Sequence, residues 1–368
     1  MGNRTKEIKQ ALIAQLRKTA RWKPPTDRAG TIRLDLNENP DVSGMLSAHT
    51  IAETMPSDTW NRYPEYDTLL EQLSAYTKLP KQMIALANGS DHAIQLLFLM
   101  YFGNGARVIM PSPVFSIYHH LAKIFDTDIQ LIAYRNTYPS FSFPVEETIA
   151  ALETGGVNGL ILCNPNNPLG SPIPNTALQH ILSITAEKNI PTLVDEAYFE
   201  YAHETTSAPY LMRYPNVMIT RSFSKAFGCA GLRLGYVLAA PEIIDAFLTL
   251  RLPWSVSGVA AHVGTVVLKH QKSILALMPD FQNRRKEFTE FLRGTCGLQA
   301  YDSCTNAIIV RVDKPENFLA SLKKSNILAN HIFRAPGAFG MLDNAIRINI
   351  PTHKDMGAVK NAFRQYTE

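Results

Sequence analysis

From Ser222 onward the chain reads Ser-Phe-Ser-Lys-Ala-Phe-Gly-Cys-Ala-Gly-Leu-Arg-Leu-Gly-Tyr, and this stretch decides both the fold and the chemistry. Lys225 lies in a run of small and apolar residues, a setting in which a lysine amine serves as nucleophile and base. Ser222, Ser224 and Arg233 add the hydroxyl and guanidinium donors that bind a phosphate monoester. The stretch therefore predicts pyridoxal phosphate held covalently by Lys225. The alternative is a buried strand, a turn and a helix start with incidental polar residues.

The composition is that of a folded protein with a large core and about two domains. Of the 368 residues, 46% are hydrophobic and 18% are charged, and the formal net charge is +4. A charge this small does not by itself indicate nucleic acid, and we expect no nucleic-acid partner. Cys163, Cys229, Cys296 and Cys304 show neither CxxC spacing nor a nearby histidine cluster. We therefore expect free thiols in a reducing compartment and no metal site.

The N-terminal region and the most apolar run predict a cytoplasmic protein without a membrane anchor. The N-terminus is charged and lacks the apolar core of a signal peptide, and the apolar run over residues 96–102 is too short to span a bilayer. Ile8, Leu12, Ile13 and Leu16 fall at helical spacing among basic residues, which predicts an amphipathic helix. We expect this helix to pack on its own protein, and an anionic partner or membrane surface is the alternative.

Short apolar strands alternate with helical stretches in the middle of the chain, a pattern typical of a doubly wound α/β domain. The predicted strands are Arg107–Met110, Gly159–Cys163, Thr192–Val194, Val217–Ser222 and Leu234–Leu238. The predicted helices are His92–Phe102, Ile117–Ile124, Pro144–Leu152 and Ala177–Lys188. Ligands of such sheets bind beyond the carboxyl ends of the strands, and Asn167, Asp195 and Lys225 each follow a predicted strand.

A smaller α/β domain is predicted after the long amphipathic stretch Val259–Gly294. Its strands are expected at Ala307–Val312, Asn326–His331 and Ala345–Ile350, with a helix between the first two. The predicted division is an N-terminal segment over residues 1–45 that joins the small domain, a large domain over 46–260 and the small domain over 261–368.

Two turns next to these strands predict further binding groups. Residues 88–94 read Asn-Gly-Ser-Asp-His-Ala-Ile, a turn entering a helix, where the backbone N–H groups of Gly89, Ser90 and Asp91 would bind phosphate. A plain N-cap by Ser90 or Asp91 is the alternative. Residues 164–170 read Asn-Pro-Asn-Asn-Pro-Leu-Gly, a rigid turn that presents Asn167 to a ligand or serves as turn chemistry alone.

Asp195 begins Asp-Glu-Ala-Tyr, which follows an apolar strand. A carboxylate there is costly unless it is paired, and beneath a pyridine ring it would pair with the protonated ring nitrogen and keep the ring an electron sink. Tyr198, three residues on, would hydrogen-bond the cofactor's phenolic oxygen. An N-cap at a helix start is the alternative for Asp195.

Together, Asn-Pro-Asn-Asn-Pro-x-Gly, Asp-Glu-Ala-Tyr, and Ser-x-Ser-Lys with an arginine eight residues after the lysine resemble fold-type I enzymes of the class I/II aminotransferase superfamily. Leu-Asn-Glu-Asn-Pro at 36–40 and Asn-Arg-Tyr-Pro-Glu at 61–65 are most similar to the histidinol-phosphate aminotransferase branch. Threonine-phosphate decarboxylases and relatives in secondary metabolism share these motifs. The resemblance runs from about Leu34 to about Thr352. It implies a large, mainly parallel sheet domain with a smaller C-terminal α/β domain.

The resemblance assigns three catalytic residues. Lys225 would form the internal aldimine and then move the α-proton of the substrate, and Asp195 would pair with the pyridine nitrogen. Tyr198, together with Asn167, would hydrogen-bond the phenolic oxygen, while Phe115 would stack on the ring. The groups expected to hold the phosphate are Gly89, Ser90, Asp91, Ser222, Ser224 and Arg233.

Partners and substrate contacts follow from the same resemblance. Tyr63 would reach the cofactor of the neighbouring subunit, which implies a homodimer with shared active sites. The small-molecule partners would be an amino donor and a keto acceptor. The residues expected to contact substrate are Arg347, Asn37, Tyr63, Arg334 and Asn306. The sequence around Arg347 independently indicates an anion-binding role. Burying the charge of an arginine between two isoleucines is unfavourable unless a carboxylate or phosphate pairs with it. A surface arginine on an alternating strand is the alternative.

The chain departs from the histidinol-phosphate branch around the substrate. Phe115 replaces the usual stacking tyrosine, and Leu169 replaces the usual threonine of the Asn-Pro turn. Residues 327–331 read Ile-Leu-Ala-Asn-His in place of a strand that usually carries a second phosphate-binding arginine, so Arg334 or His331 is the candidate for that charge.

Three functions are compatible with these residues. The leading one is a pyridoxal-phosphate-dependent aminotransferase acting on an amine or amino acid that bears phosphate or carboxylate. The second is a decarboxylase, or an elimination or cyclisation enzyme, because the same cofactor stabilises carbanions from C–H or C–C cleavage. The third is a non-catalytic regulator of this fold, against which the retained Lys225 and the short segment before Leu34 both argue.

Overall fold

The computed structural model describes residues 25–44, 48–202, 206–332 and 337–367. The predicted N-terminal helix and Arg334 lie outside these residues, and the side chain of His331 is not described. The four cysteines are free thiols. Within the described ranges, no helix is both long and apolar enough to cross a bilayer, and no three metal-ligating side chains come together in a group.

The bounds of the regular elements are as follows. The strands are β1 (Ile32–Leu34), β2 (Ile84–Ala87), β3 (Arg107–Ser112), β4 (Asp128–Ala133), β5 (Arg135–Thr137), β6 (Ser140–Ser142), β7 (Gly159–Cys163), β8 (Thr192–Asp195), β9 (Val217–Ser222), β10 (Gly235–Ala239), β11 (Gln299–Ala300), β12 (Ala307–Arg311), β13 (Ile327–His331) and β14 (Ala345–Asn349). The α-helices are α1 (Ala48–Thr54), α2 (Asp67–Thr77), α3 (Ser90–Leu97), α4 (Ser116–Ile124), α5 (Val145–Glu153), α6 (Asn175–Glu187), α7 (Pro241–Leu250), α8 (Gly258–Lys269), α9 (Gln271–Leu275), α10 (Met278–Gly294), α11 (Pro315–Lys324) and α12 (His353–Thr367).

The large sheet has the strand order β2-β10-β9-β8-β7-β3-β4. The five strands from β9 to β4 run parallel, whereas β10 is antiparallel to both of its neighbours. Along β7, Leu160 and Leu162 pack into one hydrophobic core while Ile161 and Cys163 pack into another. Both faces of the sheet are therefore buried, as a parallel sheet requires. This confirms the predicted doubly wound, mainly parallel architecture.

Most predicted elements lie within a few residues of their observed bounds. The sequence did not predict the edge strands of either sheet, namely β2 and β4 of the large sheet and β1 and β11 of the small sheet, nor the β5–β6 pair. The predicted helix 92–102 corresponds to α3, which starts at Ser90, and to the π-helical turn over Phe98–Phe102 that follows it. Strand β2 reads Ile-Ala-Leu-Ala, and alanine does not favour a strand. Strand β4 carries Asp128 and Gln130 at the sheet edge, so it lacks the continuous apolar run of the central strands.

The small sheet has the order β1-β13-β14-β12-β11. Strand β1 pairs parallel to β13, with Ile32 opposite Ile327, so the N-terminal segment supplies an edge strand to the C-terminal sheet. Helices α11 and α12 cover this sheet, and Phe318 meets Phe363 edge to face at 4.9 Å between ring centroids. The division at residues 45 and 260 stays a prediction.

Direct contacts join the two sheets beside the Asn-Pro turn. The Cys304 N–H donates to the carbonyl of Gly170 at 2.7 Å. Gly170 has φ +72°, and a Cβ there would lie 2.1 Å from the Ser303 hydroxyl, so only glycine permits this approach. Phe141 of β6 stacks on Tyr301 with 4.3 Å between ring centroids. These contacts bring β14 and its Arg347 next to the carboxyl ends of the large sheet.

Candidate active site

The predicted site residues converge where the parallel strands of the large sheet end. Asp195 is the last residue of β8, and Ser222 is the last residue of β9. Lys225 follows in the next turn, and Gly89 precedes α3. Parallel strands end at one edge of a sheet, so residues far apart in sequence meet there.

Asp195 is a buried carboxylate with hydrogen-bond donors on both oxygens. Only 6% of Asp195 is exposed to solvent. Oδ1 accepts from the Ala197 N–H at 3.1 Å, and Oδ2 accepts from the Tyr118 hydroxyl at 2.8 Å. Burial raises the pKa of Asp195 to about 6, and the Tyr118 hydroxyl is the strongest opposing influence. No α-helix begins at Asp195, so the N-cap alternative is wrong.

Lys225 lies between the N-terminal segment and Tyr198. Its Nζ donates to the carbonyl of Leu36 at 3.2 Å and lies 5.5 Å from the centre of the Tyr198 ring. No carboxylate in the described part of the chain forms an ion pair with Lys225. The amine is half-buried and holds a single hydrogen bond to a neutral acceptor, so it is available to react.

The expected phosphate-binding groups form one cradle at the start of α3. Gly89 has φ +82°, and a Cβ there would lie 2.6 Å from Nη2 of Arg233. Nη1 of Arg233 contacts the Ser224 hydroxyl at 3.3 Å, and Nη2 pairs with Asp91 at 3.1 Å. No side chain caps α3, so the predicted N-cap alternative for Ser90 and Asp91 is wrong and the first N–H groups stay open to a ligand.

Ser222 and the neighbouring strand complete this cradle. The Ser222 hydroxyl accepts from the Ser224 N–H at 3.1 Å, which fixes the turn between them. A Cβ at Gly235 would lie 2.6 Å from the Ser90 N–H group, so glycine lets β10 approach the helix start closely. Arg233 itself is left-handed, with φ 50°, an unfavourable conformation that turns its side chain back over Gly89.

Tyr198 is held by a chain of amides from the N-terminal segment and the small sheet. Asn37 Nδ2 donates to the Tyr198 hydroxyl at 2.9 Å, and Asn306 Nδ2 donates to the carbonyl of Asn37 at 2.9 Å. The Oδ1 atoms of Asn37 and Asn306 are buried and have no hydrogen-bond partner. Two open acceptors beside Tyr198 suit a ligand that donates N–H or O–H groups.

Arg347 is buried next to Asn167 and only 8% of it is exposed to solvent. The alternative prediction of a surface arginine is therefore wrong. Nη1 donates to Asn167 Oδ1 at 2.8 Å, Nη2 donates to the carbonyl of Asp35 at 2.9 Å, and Nε is buried without a partner. Asn330 lies opposite Arg347 in the paired strands and donates to the same Asp35 carbonyl at 3.2 Å. No carboxylate pairs with Arg347 in the described residues, so its charge is available to an anionic ligand.

Two predicted residues lie at the margin of this cluster. Phe115 is half-buried at the start of α4 and meets Tyr118 edge to face, with 6.4 Å between ring centroids. Tyr63 is 76% exposed and stacks on Trp254 at 4.3 Å, and no hydrogen bond or ring contact joins it to the cluster of its own chain. Tyr118 was not predicted, because nothing in the sequence marks its hydroxyl as a partner of Asp195.

The donor set fits pyridoxal phosphate. The cradle at α3 supplies backbone N–H groups, hydroxyls and a guanidinium for the phosphate. Asp195 is a buried carboxylate without a cation, and a protonated ring nitrogen would supply one. Lys225 supplies the amine for the aldehyde carbon. The sequence prediction and the geometry therefore agree on the kind of molecule that this edge of the sheet would bind.

Comparisons with known proteins point to one family. The sequence model described as aminotransferase class I and II matches residues 29–363. The histidinol-phosphate aminotransferase of Desulfitobacterium hafniense is 31% identical over 333 residues, which cover 88% of each chain. The crystal structure of the histidinol-phosphate aminotransferase from Clostridium acetobutylicum superposes with a TM-score of 0.82 at 22% identity, covering 91% of this chain and 99% of that one. The Sinorhizobium meliloti enzyme, solved in complex with pyridoxal-5'-phosphate, gives a TM-score of 0.79 at 21% identity, covering 96% of each chain.

Proposed function

This chain belongs to the class I and II aminotransferase family, and from that premise we propose that it is a pyridoxal-phosphate-dependent aminotransferase of the histidinol-phosphate aminotransferase type. Its substrate would be an amine or amino acid that carries a phosphate or carboxylate. The observation that supports the proposal is the bond between Arg347 and Asn167, because it joins a buried guanidinium without a carboxylate partner in the described part of the chain to a residue that is proposed to bind the cofactor.

Bound pyridoxal phosphate supplies an aldehyde that takes up amines and a ring that withdraws electrons from the adjacent carbon. The residues of this chain would then bind, orient and move protons. Lys225 Nζ would take the proton from the substrate α-carbon and return it at the next step, since it is the one amine at the strand ends among the described residues. Asp195 would hold the proton on the ring nitrogen through its buried carboxylate.

The anion of the substrate would bind at Arg347. Its Nε and the remaining hydrogens of Nη1 and Nη2 are free to donate, and the two bonds to Asn167 and Asp35 hold the guanidinium plane in place. The open Oδ1 atoms of Asn37 and Asn306 add acceptors for N–H or O–H groups of the substrate. Glutamate and 2-oxoglutarate are the proposed second pair.

The amino-group transfer is tested by single-turnover spectroscopy of the cofactor-loaded protein. A panel of amino acids and phosphorylated amines is added singly, with the absorbance of the cofactor and the mass of the products recorded. A true donor should bleach the visible band and leave the shorter-wavelength band of the aminated cofactor. If no donor produced that conversion, the transaminase proposal would be wrong. Release of carbon dioxide without a keto acceptor would instead assign the decarboxylase function.

We further propose a cytoplasmic homodimer in which Tyr63 acts on the neighbouring subunit. Four free thiols support a reducing compartment. Tyr63 supports a shared site because its ring is exposed and tied to Trp254, away from the cluster of its own chain. A closed, two-fold dimer would carry each tyrosine to the other site.

Mixed dimers test the shared site. A dimer of one Lys225→Ala subunit and one Tyr63→Ala subunit would keep one complete site if Tyr63 acts across the interface, so it should retain activity. A dimer of a wild-type subunit and a Lys225→Ala, Tyr63→Ala subunit would have no complete site and should be far less active. Differently tagged subunits allow each hybrid to be purified for steady-state assays. The reverse order of activities would show that Tyr63 serves its own chain.

A further inference from the structure

Two buried groups outside the predicted site hold the carboxylate of Asp195. The hydroxyl of Tyr118, from α4, donates to Oδ2 at 2.8 Å, and the thiol of Cys163, at the end of β7, lies 3.8 Å from the same oxygen. We propose that Tyr118, assisted by Cys163, is a positioning residue that keeps Asp195 ionised and directed at the cofactor ring. This inference rests on the proposed function.

The Tyr118 hydroxyl differs from an ordinary core tyrosine in having an ionised partner. Tyr118 is fully buried, and burying a hydroxyl is costly unless it is hydrogen-bonded. A bond to a carboxylate is roughly twice as strong as one between neutral groups. Tyr201 offers the contrast, because it is buried to the same degree and its hydroxyl has no partner. The hydroxyl of Tyr118 therefore acts on Asp195 rather than simply filling space.

Neutral hydrogen-bond donors surround Asp195 and stabilise its ionised form. Tyr118 faces it from α4, Cys163 from β7 and Thr220 from β9, where the hydroxyl lies 3.4 Å from Oδ1. Among the strongest influences on Asp195 within the described residues, the charged one is Asp91 near the start of α3, which has the same sign. Burial and Asp91 both raise the pKa of Asp195, while Tyr118, Ala197 and Thr220 lower it. Loss of the Tyr118 hydroxyl should therefore raise that pKa further.

Tyr118 and Cys163 remain donors over the whole working range of pH. Burial raises the pKa of the Tyr118 hydroxyl and that of the Cys163 thiol well above their ordinary values, so both stay protonated. The ring of Tyr118 also packs edge to face on Phe115. One tyrosine thus fixes both the carboxylate at the proposed edge of the cofactor ring and the aromatic residue proposed for its face.

The test is the pH dependence of pyridoxal-phosphate binding to the apoprotein. Fluorescence titrations between pH 5 and 9 compare the wild type with Tyr118→Phe and with the matched control Tyr201→Phe. Ionisation of the free cofactor is common to all three and cancels. We expect Tyr118→Phe to move the midpoint upward by about one pH unit and to weaken binding by about five-fold at pH 6 and about ten-fold at pH 5, as loss of one charge-assisted hydrogen bond predicts. Tyr201→Phe should keep the wild-type midpoint.

A wild-type midpoint in Tyr118→Phe would overturn the inference, as would equal losses of affinity in both tyrosine variants without a shift. Wild-type apoprotein that bound no cofactor at any pH would contradict the proposed function instead. Should Tyr118→Phe fail to fold, Cys163→Ala should shift the midpoint in the same direction, and Cys163→Ser should restore it by keeping a donor. The carboxyl pKa of Asp195 in the apoprotein, followed by carbon NMR, gives a readout independent of affinity.

Discussion

Replacing Lys225 by alanine should abolish amino-group transfer, with a loss of at least about 10²–10⁴-fold from the missing proton transfer alone. The reason lies in the surroundings of Nζ. It donates to the carbonyl of Leu36 and faces the ring of Tyr198, and no second amine is placed at the strand ends in the described residues. No neighbouring side chain can take over its two tasks of binding the cofactor covalently and moving the substrate proton.

Steady-state rates and the visible spectrum of the bound cofactor measure this effect. In the wild type, borohydride should fix the cofactor to the peptide that contains Lys225, and in the variant the cofactor should be washed away. Lys188→Ala is the matched control, because Lys188 is an exposed lysine at the end of α6. Normal turnover by Lys225→Ala would refute both the cofactor assignment and the proposed function.

The central sheet was predictable because its strands bury both faces. Gly159–Cys163 is a continuous apolar run of strand length, and Val217–Ser222 begins with the apolar run Val-Met-Ile; both strands have the bounds that the sequence predicts. The position of the site followed, since polar residues directly after such strands must lie at one edge of the sheet. Edge strands such as β4 are partly exposed and mix polar with apolar residues, so no continuous run marks them.

Contacts between distant segments could not be predicted in the same way. The hydrogen bond from Tyr118 to Asp195 joins residues 77 positions apart, and the bond from Arg347 to Asn167 joins residues 180 apart. Each depends on how two elements pack and on which rotamer each side chain adopts, and neither is encoded in a local pattern. The resemblance to a family placed Arg347 in the site, but its burial and its open Nε are visible only in the folded chain.

Arg221 lies on the opposite side of the sheet from the site. Successive residues of a strand alternate between faces, so Thr220, which contacts Asp195, and Arg221 point in opposite directions. Arg221 is 3% exposed, and its Nε and Nη2 donate to one oxygen of the fully buried Glu196 at 3.0 and 2.9 Å. Its guanidinium also lies 3.7 Å from the centre of the Phe199 ring.

Glu200 is a second buried carboxyl group near Arg221, and it adds no charge near neutral pH. Glu200 accepts from the Tyr76 hydroxyl at 3.3 Å, and its other oxygen has no partner. Burial raises the pKa of Glu200 to about 8, so Glu200 is largely protonated at pH 7. Arg221 and Glu196 then form a buried ion pair with no net charge, and each side chain stabilises the ionised form of the other.

Arg221→Met should therefore lower the free energy of unfolding by about 3–5 kcal/mol at pH 7, because it leaves Glu196 buried without its cation. Urea denaturation of the apoprotein measures the change. The double variant Glu196→Gln, Arg221→Met should recover much of the loss, since the amide oxygen can still accept from the Ser207 N–H while the amide NH2 donates to the Thr206 hydroxyl. A single variant as stable as the wild type would show that the pair contributes nothing. Because Arg221 faces away from Asp195, the folded fraction of Arg221→Met should keep the wild-type pH midpoint for cofactor binding, unlike Tyr118→Phe.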